Sequence, residues 1–214
     1  EVMCVAVSAV GLVATGGSDF VLRLWSSDEV RSGAAAVCSK ELVGHTRTVT
    51  CIAFSPDGEH VASCSRDPQD VRIWEIQSGL CVMELGIDCG HDGWVTSLCY
   101  SPDGRTLLTA SRDKSLILWE CFTGELLRRL EGHIDDVTAC AFHPAGKLVA
   151  SAGSHRHDPS VKLWLSDSGE PFGSLTGHSH SVTSIAFNTD NSYLLTTTNN
   201  SSSSNASAEK KSSS

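Results

Sequence analysis

The sequence predicts an all-β protein assembled from one small sheet repeated along the chain, and three observations predict it. A phrase recurs, as Val49 to Gly58 (VTCIAFSPDG), Val95 to Gly104 (VTSLCYSPDG), Val137 to Gly146 (VTACAFHPAG) and Val182 to Asn191 (VTSIAFNTDN), with a clipped copy from Val2 to Ser8. The opening valines are spaced 47, 46, 42 and 45 residues apart, a period that means one structural unit stacked repeatedly. A Gly-His pair precedes the phrase (Gly44-His45, Gly90-His91, Gly132-His133, Gly177-His178), and an alternating apolar run ends in Trp25, Trp74, Trp119 or Trp164.

Each element follows from local chemistry. The phrase is the first strand, closed by a Ser-Pro-Asp-Gly turn in which proline presets φ and glycine takes positive φ. The second strand is short and rich in small residues (Val61 to Ser63, Leu107 to Thr109, Leu148 to Ser151). The third alternates apolar and polar residues up to its tryptophan, as a half-buried strand does. A weaker fourth strand follows a Ser-Gly or Thr-Gly turn, at Cys81 to Leu85, Leu126 to Leu130 and Pro171 to Leu175. The first unit lacks its Gly-His, and the last loses the pattern near Thr198. From Asn199 the chain is Asn, Ser, Ala, Glu and Lys, a composition that reads as disordered.

Gly-His, the Ser-Pro-Asp-Gly turn and the closing Trp, repeated in register, resemble the WD-repeat family, whose units are four-stranded propeller blades. The resemblance covers residues 2–198 and implies a partial β-propeller. Its blades fall at about 2–31, 45–85, 91–130, 133–175 and 178–198: three complete blades flanked by two incomplete ones, then a disordered tail at 199–214. A propeller closes at roughly four to eight blades, so ragged ends read as part of a larger ring.

The resemblance also implies a buried hydrogen-bonded set of His, Ser or Thr, Asp and Trp in each blade. Blade two supplies His45, Ser63, Asp67 and Trp74; blade three His91, Thr109, Asp113 and Trp119; blade four His133, Ser151, Asp158 and Trp164. Blade one keeps Thr15, Asp19 and Trp25, and the last blade has His178 and Thr196 with Asn200 at the acid position. Ser, His and Asp together imitate a hydrolase triad. Repetition in blade after blade points instead to a structural role, because one active site does not recur and a buried polar network is tolerated when fully satisfied.

Composition narrows the classes. A net charge of -9 argues against a dedicated nucleic-acid binder, which shows a basic surplus. No run approaches the 18 or more apolar residues of a membrane span. Val2 to Ala14 imitates a signal-peptide core but aligns with the start of the repeat, and so reads as a strand. Nine cysteines, an odd number without repeated CxxC spacing, favour reduced thiols and a cytoplasmic or nuclear setting. No P-loop, HExxH, G-x-S-x-G or dinucleotide fingerprint is present. His155 and His157 read as an exposed loop insertion, not a metal site, and no cofactor is expected.

In WD-repeat propellers the loops entering first strands and leaving second strands share one rim, a common partner face. Here that rim carries Arg47, Arg66, Trp94, Arg112, Asp135, Asp136, Arg156, His157 and His180. Trp94 stands out as the one tryptophan that closes no third strand, and Trp and Arg are enriched at interaction hot spots. The expected function is a non-catalytic scaffold for other proteins or peptide segments, acidic or phosphorylated ones suiting the arginines. The alternative is a recognition subunit or propeller portion of a ubiquitin-ligase assembly. That reading is weakened by repeat ends Trp74-Glu75-Ile76-Gln77, Trp119-Glu120-Cys121-Phe122 and Trp164-Leu165-Ser166-Asp167, which lack the basic residue of a Trp-Asp-x-Arg motif.

Overall fold

The computed structural model describes residues 1–26, 37–67, 70–86, 90–154, 158–188, 193–198 and 206–210. Every regular element in them is a strand. Blade one is β1 (Val2–Val7), β2 (Leu12–Gly17), β3 (Val21–Ser26) and β4 (Cys38–Val43). Blade two is β5 (Val49–Phe54), β6 (His60–Ser65), β7 (Val71–Glu75) and β8 (Cys81–Leu85). Blade three is β9 (Val95–Tyr100), β10 (Thr106–Ser111), β11 (Ser115–Glu120) and β12 (Leu126–Glu131). Blade four is β13 (Val137–Phe142), β14 (Leu148–Gly153), β15 (Val161–Leu165) and β16 (Pro171–Leu175). Blade five holds β17 (Val182–Phe187), β18 (Tyr193–Thr198) and β19 (Ala206–Lys210). Within each sheet, strands pair antiparallel with their sequence neighbours.

Two expectations about the ends are corrected. Blade one is not short of a strand: β4 lies beyond residue 31 and pairs with β3 from Val21↔Val43 to Trp25↔Cys38. Gly33 of the preceding Ser32-Gly33 pair stands five residues before Cys38, where blades two to four have a spacing of two, and that longer interval hid the strand in the sequence. The 199–214 segment, expected to be disordered, contributes β19, paired with β18 from Tyr193↔Lys210 to Thr197↔Ala206. A strand edge offers unpaired N–H and C=O groups that any backbone can meet, so a Ser- and Ala-rich segment suffices. Asn199 and Asn200 lie outside the described residues.

A single small sheet cannot bury its own faces, so the core lies between blades. Trp74 packs with Leu22, Leu24 and Leu42 of blade one. Trp119 packs with Ile73 and Leu85 of blade two, and Trp164 with Leu116, Leu118 and Leu130 of blade three. All three indoles are at most 2% exposed. Each buries about 150–250 Å², or roughly 4–6 kcal/mol as an upper bound. The fourth interface, around Val161, Val182, Ile185 and Leu194, has no such tryptophan.

The glycine of the Gly-His pair answers to this packing. Gly132 has φ +147°, and a Cβ there would stand 3.2 Å from Trp164 Cη2. Gly104 ends the first turn of blade three at φ +73°. There Ser101 Oγ donates to Asp103 Oδ1 (2.6 Å) and accepts from Thr106 N (2.9 Å).

A threonine one residue after the opening valine ties neighbouring blades. Thr96 Oγ1 lies 3.1 Å from Ala110 O in its own blade and 2.6 Å from Val137 O in the next. Thr50 does the same with Cys64 O and Val95 O, and Thr138 with Ala152 O and Val182 O. One hydroxyl proton serves two carbonyls as a three-centre bond. Blade one has Met3 at that position, and the thiol of Cys4 replaces the hydroxyl, 3.6 Å from Gly16 O and 3.7 Å from Val49 O. The blades follow one another as an arc. Among the described residues no such packing joins blade five to blade one.

Candidate functional site

The polar sets fix the loops that carry the surface. In blade three, Trp119 Nε1 donates to Thr109 Oγ1 (2.9 Å), which meets His91 Nε2 (2.8 Å), while His91 Nδ1 meets Asp113 Oδ2 (2.8 Å). In blade four the same path runs Trp164, Ser151, His133, Asp158 at 2.8, 2.7 and 2.7 Å. In blade two it runs Trp74, Ser63, His45 at 2.8 and 2.6 Å, and ends on Asp70 at 2.5 Å.

Asp67 is therefore not the blade-two acid; Asp70 is. The His to Ser/Thr separation is 18 residues in all three blades, whereas His to Asp is 25, 22 and 25. Strand pairing holds the first interval constant. The second includes a loop of variable length, and the acid that counts is the one delivered beside the third strand. In blade one, Trp25 Nε1 donates to Thr15 Oγ1 (2.9 Å), but no His stands above them. Asp19 instead pairs with Arg23 on the surface. In blade five, His178 Nε2 meets Thr196 Oγ1 at 2.7 Å.

These groups are poised for structure. Burial pushes the Asp158 carboxyl up, but bonds from Ser160, the Ile134 N–H and His133 outweigh it and hold it below its ordinary range. Asp70 and Asp113 follow the same balance, held down by His45 with Arg72 and Ser65, and by His91 with Ser115. Burial lowers His133 despite Asp158. A neutral His133 donates Nδ1–H to Asp158 and accepts the Ser151 hydroxyl at Nε2. Ser151 is 0% exposed and accepts the indole N–H, so its oxygen is no available nucleophile despite the triad-like order.

The rim is built on the same loops. Arg66 N donates to Thr48 O (2.9 Å), Arg112 N to Trp94 O (3.0 Å) and Ser154 N to Asp136 O (2.8 Å), so each loop after a second strand is pinned to one entering a first strand. Trp94 is 43% exposed, which makes it a surface residue and not a core one. The Arg112 guanidinium lies 4.8 Å and the Arg66 guanidinium 5.8 Å from its ring centroid, within cation–π range. Arg47, Arg66 and Trp94 line a concavity of about 520 Å³ with Phe20, Thr48 and Asp67. Neither Arg47 nor Arg66 forms an ion pair among the described residues. Arg112 reaches Asp136 Oδ2 at 3.7 Å, and Asp135 Oδ2 accepts the Ser154 hydroxyl at 3.0 Å.

The structure thus gathers Arg47, Arg66, Trp94 and Arg112, with Asp135 and Asp136 one blade on. His180 belongs to the loop entering blade five, where its Nδ1 meets Ser179 Oγ at 2.9 Å. Arg156 and His157, like His155, lie outside the described residues. Sequence reasoning missed Phe20. It is 40% exposed with φ +69°, the left-handed turn position that Lys114 (φ +72°) occupies in blade three. A phenylalanine at a loop tip after Ser-Asp was the available signal. The eight described cysteines are free.

Residues 36–75, 79–120, 124–164 and 169–203 match the family described as WD domain, G-beta repeat. The chain is 34% identical over 157 residues to the chromatin assembly factor 1 subunit FAS2 homolog of Oryza sativa, covering 67% of this chain and 30% of that protein. It is 32% identical over 178 residues to protein HIR1 of Yarrowia lipolytica (67% and 17%). It is 25% identical over 163 residues to mitochondrial division protein 1 of Kluyveromyces lactis (64% and 23%). The chain therefore spans less than a third of the length of each of these relatives. With four matched repeats covering more than half its length, the chain belongs to the WD-repeat family.

Proposed function

We propose that this chain is a non-catalytic interaction platform whose working surface is the rim around Trp94. An exposed indole flanked by two guanidinia, on a protein with net charge -9, is the observation that carries this reading. Such a surface suits an acidic or phosphorylated segment of another protein: the arginines supply charge-assisted hydrogen bonds and the indole supplies apolar area. The acidic balance opposes nucleic acid as the partner. The name of the rice relative, a chromatin assembly factor subunit, supports a place in a nuclear multi-protein assembly. The ubiquitin-ligase alternative draws no support from these relatives.

The test is affinity capture of partners by the intact protein and by Trp94→Ala, Arg66→Ala and Arg112→Ala, with circular dichroism to confirm folding. Trp94→Ala should cost about 2 kcal/mol, roughly a thirtyfold loss. The arginine variants should show smaller losses that shrink as salt rises. Unchanged recovery with all three variants would move the interface to another face.

A further inference from the structure

Five residues after the opening valine, blades two, four and five carry Phe54, Phe142 and Phe187, but blade three carries Tyr100. The ring keeps the same place and adds a hydroxyl that is buried and has no hydrogen-bond partner among the described residues. An unpaired buried hydroxyl opposes folding, so packing alone does not account for it. Burial pushes the phenol's pKa upward, which leaves it a neutral group able to donate or accept.

Tyr100 lines a cavity of about 290 Å³ between blades two and three, at the end of β9 away from Trp94. Val82, Met83 and Phe122 give it an apolar lining, and Phe122 is 72% exposed. The same cavity is lined by Asp57, Glu59 and His60, whose ligating atoms lie within 4.8 Å of one another. Asp57 Oδ1 accepts the Ser55 hydroxyl (2.5 Å) and the Glu59 N–H (2.9 Å), and Glu59 forms no ion pair among the described residues. The Ser55 bond first, then the Glu59 N–H, holds the Asp57 carboxyl below its usual range, so it is charged at neutral pH. The gap between blades three and four puts Phe142 and Arg128 in its walls, and so does not repeat this combination.

Apolar side chains and two carboxylates lining one cleft match the two halves of a long cationic side chain, whose stem is apolar and whose head is charged. We propose that this cleft receives a lysine or arginine side chain of a partner polypeptide. Asp57 and Glu59 take the cation, Phe122, Val82 and Met83 cover the stem, and the Tyr100 hydroxyl gains a partner at the base. The chain's acidic balance adds a field that draws basic segments in. This site is separate from the Trp94 rim, and either can fail without the other.

The experiment is an NMR titration of the full chain with Nα-acetyl-lysine amide, read at the Met83 methyl and the Tyr100 ring. Saturation is expected with a dissociation constant of about 1–10 mM, as the small number of non-hydrogen atoms in the ligand dictates. Nα-acetyl-norleucine amide, which lacks the cation, should bind about fivefold more weakly or worse. Glu59→Gln, at an exposed side chain, should weaken lysine binding without unfolding the protein. Adding Asp57→Asn should bring the loss to about tenfold. Tyr100→Phe should weaken binding about threefold while raising the urea midpoint, because it deletes an unpaired hydroxyl.

Equal binding of norleucine amide, or lysine binding that survives loss of both carboxylates, would overturn the proposal. So would saturation of the same residues by micromolar zinc chloride with no response to lysine amide, which would make the cluster a metal site. A lower midpoint for Tyr100→Phe would show the hydroxyl to be satisfied by the fold, and would equally overturn it.

Discussion

Asp70, Asp113 and Asp158 each terminate a path of hydrogen bonds that begins at a buried indole, and each is charged because its neighbours donate to it. Replacing Asp113 with alanine leaves His91 and its partners with unmet buried groups, at a cost of about 1–3 kcal/mol. Urea denaturation should show this loss for Asp113→Ala and Asp70→Ala. Asp67→Ala should cost less than Asp70→Ala, because the buried His45 meets Asp70 and not Asp67; an equal loss at Asp67 and Asp70 would contradict the assignment. Acid should act through the same groups. His133 holds its proton less tightly folded than unfolded, so the unfolded chain binds more protons as pH falls below about 6.5, and stability drops there. The depressed carboxylates contribute stability above about pH 4, lost as pH falls through their folded values. A urea midpoint that stayed flat between about pH 8 and 6 and fell only near 4 would remove His133 from the account.

Between elements, the recurring tie is the threonine hydroxyl that bridges first strands of adjacent blades. Thr96→Val keeps the shape and the strand preference but leaves the Ala110 and Val137 carbonyls short of a donor. The expected cost is about 1 kcal/mol. Cys4→Ala should cost less, since a thiol at 3.6–3.7 Å is a weak donor. Equal denaturant midpoints for Thr96→Val and the unaltered protein would show that side-chain packing alone sets the spacing of the blades. Backbone pairing within each sheet is untouched by either change, so circular dichroism should stay constant while the midpoint moves.

At the scale of the molecule, an arc of blades leaves apolar strand surface uncovered. Val2, Val5 and Val7 on β1 are 68%, 65% and 67% exposed. Contiguous apolar surface on an open strand favours association. The net charge of -9 opposes it, but repulsion is screened beyond about 8 Å at physiological salt. The 214-residue chain should therefore self-associate, more so as salt rises, when followed by light scattering over a concentration series. A monodisperse monomer at all salt concentrations would contradict this.

The repeat itself was legible in the chain, because it is a statement about period: valines 42 to 47 residues apart, Gly-His pairs and closing tryptophans place the strands wherever pairing is local. His45, Ser63 and Trp74 could be assigned to one another for the same reason, since antiparallel register fixes which side chains meet. Spacing could not choose between Asp67 and Asp70, because a loop's length does not say where its residues point. Nor could it foresee β4 or β19, whose places depend on a strand edge supplied by another segment. Trp94 was visible as a tryptophan out of pattern. Its exposure, the arginines of two different blades beside it and the nearness of Phe20 from a third were decided by how blades pack, as was the isolation of the Tyr100 hydroxyl. Local hydrogen bonding is written in residue order; the meeting of loops from separate blades is set only when the buried tryptophans bring those blades together.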